Sequence, residues 1–235
     1  MTDDAPGRGA TTVNGPFSDL LQRLEGVRRR IDAVAGGRHV EIIAVTKGFG
    51  PEAVEAAVAA GLTSVGENYA QELLAKAAAG AGHSSVRWHF IGAIQRNKVA
   101  TLAPHVALWH TVDRAAVVDA IAGHSPGAPV LLQVNLSGDR NRPGAAWEDV
   151  GALVSRGRDA GLDVRGLMGV GPSGDPELAR PVFAELAALA GQLGLRELSM
   201  GMTADLEVAV AEGSTMVRVG TALFGPRPQR EDLRR

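Results

Sequence analysis

Residues 40–48 read Val40-Glu41-Ile42-Ile43-Ala44-Val45-Thr46-Lys47-Gly48, a mostly aliphatic, β-branched run that stops at a lysine and a glycine. A short apolar run bounded by turn residues is the mark of a buried strand. The segments downstream of it decide the architecture. No G-x-G-x-x-G turn succeeds the run, which disfavours an open, doubly wound sheet that binds a dinucleotide. Instead, runs rich in Val, Ile and Leu recur near Ser64–Glu67, Arg87–Ile91, Leu108–Val112, Val130–Asn135, Val164–Val170, Glu197–Met200 and Val217–Val219. Ala/Leu/Glu segments of helical spacing follow each of the first seven, counting the Val40–Thr46 run as the first. Eight βα units that nearly exhaust the chain predict an α/β fold, a single closed (β/α)8 TIM barrel.

Working outward, an amphipathic helix from about Pro16 to Ala35 precedes the first strand and is expected to plug or flank the barrel. Gly123 and the Ser125-Pro126-Gly127-Ala128 stretch form a loop, since the fifth strand follows at once. The expected organisation is a disordered tail over 1–15 and one barrel domain over 16–235. At 235 residues and 45% apolar content the chain can bury one substantial core. Arg28-Arg29-Arg30 reads as the solvated face of the first helix.

Composition removes several function classes. The absence of cysteine rules out disulfides and thiolate metal sites and points to a reducing, cytoplasmic setting. The N-terminal segment carries no apolar run suited to a signal peptide or membrane span. A net charge of -2 and a pI near 6.3 give no electrostatic reason to expect nucleic acid or a membrane surface as partner. The six histidines lack H-x-x-x-H spacing, so no metal is expected.

In a closed parallel barrel, chemistry collects where the strands end. Lys47 ends the first apolar run, at the barrel mouth, where desolvation lowers a lysine pKa. Only a neutral amine attacks an aldehyde, so this position suits imine chemistry; a surface lysine that merely starts a loop is the competing reading. The last strand shifts the balance. Ser214-Thr215-Met216-Val217-Arg218-Val219-Gly220-Thr221 puts a glycine and a hydroxyl directly after a buried strand, where backbone N–H groups converge on a phosphate. The seventh strand supplies the other half through Ser199-Met200-Gly201-Met202-Thr203, although Thr203 alone could be an N-cap.

Arg218, within an apolar strand, needs a partner: either a ligand atom such as a pyridine nitrogen, or a neighbouring acid such as Glu67. Asn68, ending the second strand, could hold a ring oxygen or cap a turn. His89 and His110 read as structural, and Ser199 has no evident His/Asp relay.

The residues resemble the pyridoxal-phosphate homeostasis protein family. The likeness runs from about Leu21 to Gly225 through AVTKG around Lys47, GENYAQE from Gly66, WHFIGAIQRNK from Trp88, HTVDR from His110, LLQVNLS from Leu131, RGLMGVGP from Arg165, LSMGM from Leu198 and GSTMVRVGTALFG from Gly213. The resemblance implies a fold-type III barrel that binds pyridoxal 5′-phosphate (PLP). Lys47 would carry the cofactor as a Schiff base, and Ser199, Thr203, Gly220 and Thr221 would lie at its phosphate. Arg218 would approach the pyridine nitrogen, with Asn68 and Met168 completing the cofactor-binding set. Three positions depart from the family pattern. Thr203 replaces a serine, Gly171 stands in a loop that is commonly Ala- or Pro-rich, and Arg142 replaces a lysine in the loop after the fifth strand. Arginine cannot form an imine at ordinary pH, which puts a transfer route through position 142 in question.

The family is similar to the barrel half of alanine racemases, so the rival reading is a PLP-dependent racemase or decarboxylase. Those enzymes carry a second, β-rich domain with an acid/base tyrosine, whereas the expectation here is a barrel without that domain, and Tyr69 is the chain's one tyrosine. Racemisation needs proton transfer on two faces, and Lys47 is the obvious base for one. A sugar-phosphate aldolase would use the same lysine and loop but lacks the motif match. The expected function is therefore a non-catalytic PLP-binding protein in intracellular PLP homeostasis, a monomer whose partners are PLP and apo forms of PLP-dependent enzymes.

Overall fold

A computed structural model describes residues 16–80, 85–139 and 141–227. The proposed tail over 1–15 lies outside the described residues, as do positions 228–235. Eight parallel strands close in sequence order: β1 (Glu41–Val45), β2 (Ser64–Glu67), β3 (Arg87–Phe90), β4 (Val106–Val112), β5 (Pro129–Gln133), β6 (Asp163–Met168), β7 (Glu197–Ser199) and β8 (Met216–Val219). The seam is the β1–β8 pair, with Glu41, Ile42, Ile43 and Ala44 opposite Met216, Val217, Arg218 and Val219. That register places Arg218 beside the strand that delivers Lys47.

The strands found by pattern are all present, with edges moved by one or two residues. The fifth and sixth stop at Gln133 and Met168, short of the expected Asn135 and Val170, because the chain there leaves the ladder to build the mouth loops. The fourth starts earlier, at Val106.

Helices α1 (Leu20–Ala35), α2 (Pro51–Ala59), α3 (Ala70–Ala78), α4 (Arg96–Leu102), α5 (Ala115–His124), α6 (Val150–Asp159), α7 (Arg180–Gln192), α8 (Leu206–Ala211) and α9 (Thr221–Phe224) surround the sheet. The first helix buries Leu20, Leu24, Val27, Ile31 and Ala35, a stripe at three- and four-residue spacing. It flanks the barrel rather than plugging it. Its stripe packs among Leu206, Val210, Leu223 and Phe224 of α8 and α9, and Arg30 pairs with Glu207. The helix begins at Leu20, four residues later than expected. Before it, Phe17 turns inward and stacks edge-on against Phe49 and Phe224, at centroid separations of 5.7 and 5.4 Å. At the other end Gly36 adopts φ 59°, the left-handed conformation that closes a helix.

Inside the barrel, Ile43, Leu108, Leu131, Met168 and Met216 form an apolar plug. Polar side chains share this interior with it and lead to the mouth.

Candidate functional site

At the C-terminal ends of the strands the barrel opens into a cavity of about 450 Å³, a size suited to a small ligand. Seven of the eight residues expected from sequence line it: Lys47, Asn68, Met168, Thr203, Arg218, Gly220 and Thr221.

Lys47 sits in a tight turn that follows β1. The Phe49 amide donates to the Thr46 carbonyl at 3.1 Å, and Gly48 takes φ 77°, the conformation a type II turn requires at its third position. The side chain enters the cavity from this turn. Burial lowers its pKa below the ordinary lysine value, and the positive charges of Arg227 and Arg218 push in the same direction; Glu67 and Glu72 oppose them. An ammonium starved of water and facing two guanidinium groups gives up its proton more readily, which raises the share of nucleophilic amine.

Arg218 is 4% exposed, and its bonds go to neutral acceptors. Nη1 donates to the Ser199 carbonyl at 2.6 Å and to Ser199 Oγ at 2.7 Å, and Nη2 donates to the Gly169 carbonyl at 2.9 Å. Burial pulls its pKa down to about 10, partly offset by Asp205, so it remains a cation at neutral pH. The alternative pairing with Glu67 is not made. Glu67 accepts instead from Thr46 Oγ1 at 2.6 Å and from Lys76 at 2.5 Å.

A guanidinium only donates, so Ser199 Oγ accepts from Arg218. The same hydroxyl is hydrogen-bonded to His110 Nδ1 at 3.0 Å. His110 Nε2 is in turn hydrogen-bonded to His89 Nδ1 at 2.9 Å. Both imidazoles are neutral: burial drives His89 down to about 3 and His110 well below its ordinary range. The chain Arg218–Ser199–His110–His89 is thus a rigid polar column that sets the arginine's direction. It also corrects one expectation. Ser199 is fully buried within this column and does not line the cavity, because its strand position points the hydroxyl into the barrel beneath Arg218.

The anion-binding turn starts beyond Ser199. Gly201 has φ 86°, and a Cβ there would lie 2.6 Å from that of Ala209, so only glycine fits the bend. Asp205 Oδ1 then accepts from the Met202 amide at 2.7 Å, while Arg30 donates to the Thr203 carbonyl at 2.9 Å. Thr203 Oγ1 accepts from the Ala222 amide at 3.3 Å, which ties this turn to the start of α9. Gly220 abuts β1, where a Cβ would meet the Val45 carbonyl at 3.3 Å. Thr203, Ala204, Gly220 and Thr221 therefore form one small-residue wall of the cavity.

Sequence reasoning missed Arg227 and Phe49, which also line the cavity. Phe49 carried the signal of adjacency to Lys47. Arg227 carried none, since it follows the last barrel motif and reaches the site by folding back over Gly48; an added Cβ at Gly48 would stand 3.1 Å from its Cδ.

The family model for the alanine racemase N-terminal domain matches residues 21–228. A pyridoxal phosphate homeostasis protein of Pseudomonas aeruginosa is 44% identical over 224 residues, covering 90% of this chain and 97% of that protein. One from Deinococcus radiodurans is 41% identical over 208 residues, covering 86% and 97%. The chain belongs to the pyridoxal phosphate homeostasis protein family. The structure of PipY from Synechococcus elongatus with PLP bound is similar at a TM-score of 0.77 and 34% identity, over 88% of this chain and 100% of that one.

In this member of the family, the three departures have structural addresses. Thr203 keeps a hydroxyl in the cavity wall. At Gly171 a Cβ would lie 2.9 Å from that of Ala179 and 3.0 Å from Phe183 Cζ, so the loop passes too close to α7 for a side chain. Arg142 does not line the Lys47 cavity; it borders a neighbouring one of about 430 Å³ that shares Val170.

Proposed function

We propose that this chain holds pyridoxal 5′-phosphate at Lys47 and serves intracellular PLP homeostasis by storing, buffering or delivering the group, without turning over a substrate. One observation carries the reading. Lys47, Arg218 and Arg227 converge on a cavity whose described lining residues include no carboxylate. Such a site asks for an anion that also has something for an amine to attack. PLP supplies both, an aldehyde that condenses with a primary amine with release of water, and a phosphate.

The residues present fit the group. Burial lowers the Lys47 pKa and so raises the share of the neutral amine, the form that attacks a carbonyl. Thr203, Gly220 and Thr221 offer hydroxyls and close backbone approach for a phosphate. Arg218, braced from below, would donate to the ring nitrogen; a permanent cation there disfavours protonating that nitrogen and so weakens the electron sink that PLP catalysis uses. Asn68 Oδ1 is buried in the wall with no partner among the described residues, an acceptor left for the ligand. Met168 supplies apolar contact.

Turnover at an amino acid's α-carbon with inversion needs a proton carrier on each face of the ring. The described lining offers Lys47 and no histidine, tyrosine, aspartate or glutamate beside it. Tyr69 is 57% exposed and borders the adjoining cavity. The pyridoxal phosphate homeostasis proteins similar to this chain, and PipY with PLP bound, support the same reading. No helix among the described residues is long and apolar enough to cross a membrane. We place the protein in the cytoplasm as a monomer, handing PLP to apo forms of PLP-dependent enzymes.

The test mixes purified protein with PLP, reduces with borohydride and maps the added mass, which is expected on Lys47. A stable adduct on another lysine overturns the assignment. For the non-catalytic half, PLP-loaded protein is incubated with L-alanine in deuterated water. Sustained exchange at Cα with both enantiomers appearing, at an enzyme-like rate of roughly 10 per second, would establish an enzyme instead.

A further inference from the structure

The polar groups of the turn that presents Lys47 are taken up by three charged side chains from outside it. Thr46 Oγ1 donates to Glu67 Oε1 at 2.6 Å, the Thr46 carbonyl accepts from Lys76 Nζ at 2.8 Å, and the Gly48 amide donates to Glu72 Oε2 at 2.8 Å. Lys76 also bonds Glu67 at 2.5 Å and lies 3.9 Å from Glu72. Both immediate neighbours of Lys47 are thereby gripped by one acid–base–acid cluster. Two of its members stand on α3, at positions 72 and 76, one helical turn apart; the third ends β2.

The expense of this arrangement argues that it has a purpose. Glu67 is 0% and Lys76 4% exposed, and an apolar pair of the same volume would fill the space without the desolvation cost of two buried ions. Glu67 Oε2 even goes without a partner among the described residues. What an ionic cluster provides and an apolar pair does not is direction. It fixes the backbone of a turn that β1 has already left, since the strand ends at Val45.

We propose that Glu67, Lys76 and Glu72 are positioning residues for Lys47, holding the turn so that its amine meets an aldehyde carbonyl bound in the cavity. The proposal rests on the assignment of Lys47 as the amine that captures PLP. In that step the Lys47 nitrogen adds to the aldehyde carbon, the carbonyl oxygen takes up protons and departs as water, and a carbon–nitrogen double bond remains. The cluster touches none of these atoms and positions the amine through the lysine's backbone; the charges of Glu67 and Glu72, which favour the protonated amine, work against capture, so removing them would not by itself slow it.

The test separates capture from binding in the full-length protein. Capture is followed by mixing with PLP, quenching with borohydride and quantifying the Lys47 adduct over time. Binding is measured with pyridoxamine 5′-phosphate, which has the same ring and phosphate but an amine in place of the aldehyde. Two variants probe the hold. Lys76→Met combined with Glu67→Gln removes both buried charges without orphaning either, and Glu72→Ala removes the partly exposed acceptor. Each is expected to slow capture by about ten- to a hundredfold, the size of effect that misplacing a reacting group produces, with pyridoxamine 5′-phosphate binding unchanged. Glu72→Gln, which keeps an acceptor for the Gly48 amide, should restore the wild-type rate. Unchanged capture in both variants, an equal loss of capture and of pyridoxamine phosphate binding, or a Glu72→Gln rate as slow as that of Glu72→Ala would each overturn the proposal. Absence of a Lys47 adduct in the wild-type protein would instead refute the assignment on which it rests.

Discussion

Lys47 carries a cost that can be measured without any ligand. Its folded-state pKa lies below the ordinary 10.5, so between those two values the unfolded chain binds a proton that the folded chain does not. Stability therefore rises with pH across that window, and the full penalty applies below it. Replacing the amine by an isosteric apolar chain, Lys47→Met, is expected to stabilise the protein at neutral pH, with the advantage shrinking to nothing as pH passes 10.5. Denaturant titrations of both proteins at several pH values check this; a constant difference would mean that the amine is not desolvated. Gly171 makes a second prediction of this kind. A methyl group there presses on Ala179 and Phe183, so Gly171→Ala should cost roughly 1–3 kcal/mol, the usual penalty for overpacking, read from the denaturation midpoint.

Among the elements, the β7 and β8 ends act as a pair, because the Thr203 hydroxyl bonds the Ala222 amide of α9. Thr203→Val and Thr221→Val each remove a hydroxyl from the wall while keeping its volume. Each should weaken retention of PLP by about 1–3 kcal/mol if a phosphate accepts from these groups. Retention of unphosphorylated pyridoxal should not change, and equal losses for both compounds would place the phosphate elsewhere. These elements also show what the sequence could and could not reveal. Apolar runs ending in Lys47 and Asn68 marked the mouth, because a buried strand has to stop where polar groups begin, and Arg218 stood out as a charge within the last apolar strand. Ser199 was misjudged for the converse reason. It also ends a strand, but which wall a hydroxyl faces depends on the barrel's stagger and on Arg218 reaching across from β8, and neither is written locally. Arg227 was invisible, since its place comes from a backward fold of the chain after the last recognisable element. The Glu67–Lys76 pair was hidden for a similar reason: Lys76 looks like a solvated helix residue until the helix is docked.

For the molecule as a whole, the polar column inside the barrel sets acid stability. His89, held down to about 3, and His110, held well below its ordinary range by complete burial, resist taking up protons while the barrel is intact. The unfolded chain protonates both near 6.5, so their contribution is complete above that pH and is lost as pH falls toward 3. By about pH 5 the loss from His89 alone should be roughly 2 kcal/mol, and His110 adds to it. Chemical denaturation from neutral pH to that point is expected to show the decline, and a His89→Leu variant a shallower one. A flat profile in the wild-type protein would mean that water or another group reaches these rings.

The seam between the first and last strands also governs the order of events during biosynthesis. Lys47 leaves the ribosome well before Arg218, yet the two share a cavity only after β8 has docked on β1. The cavity takes residues from both strands of that seam, so retention of a ligand attests to a closed ring. A ligand present at that moment adds its binding energy to the closing step itself.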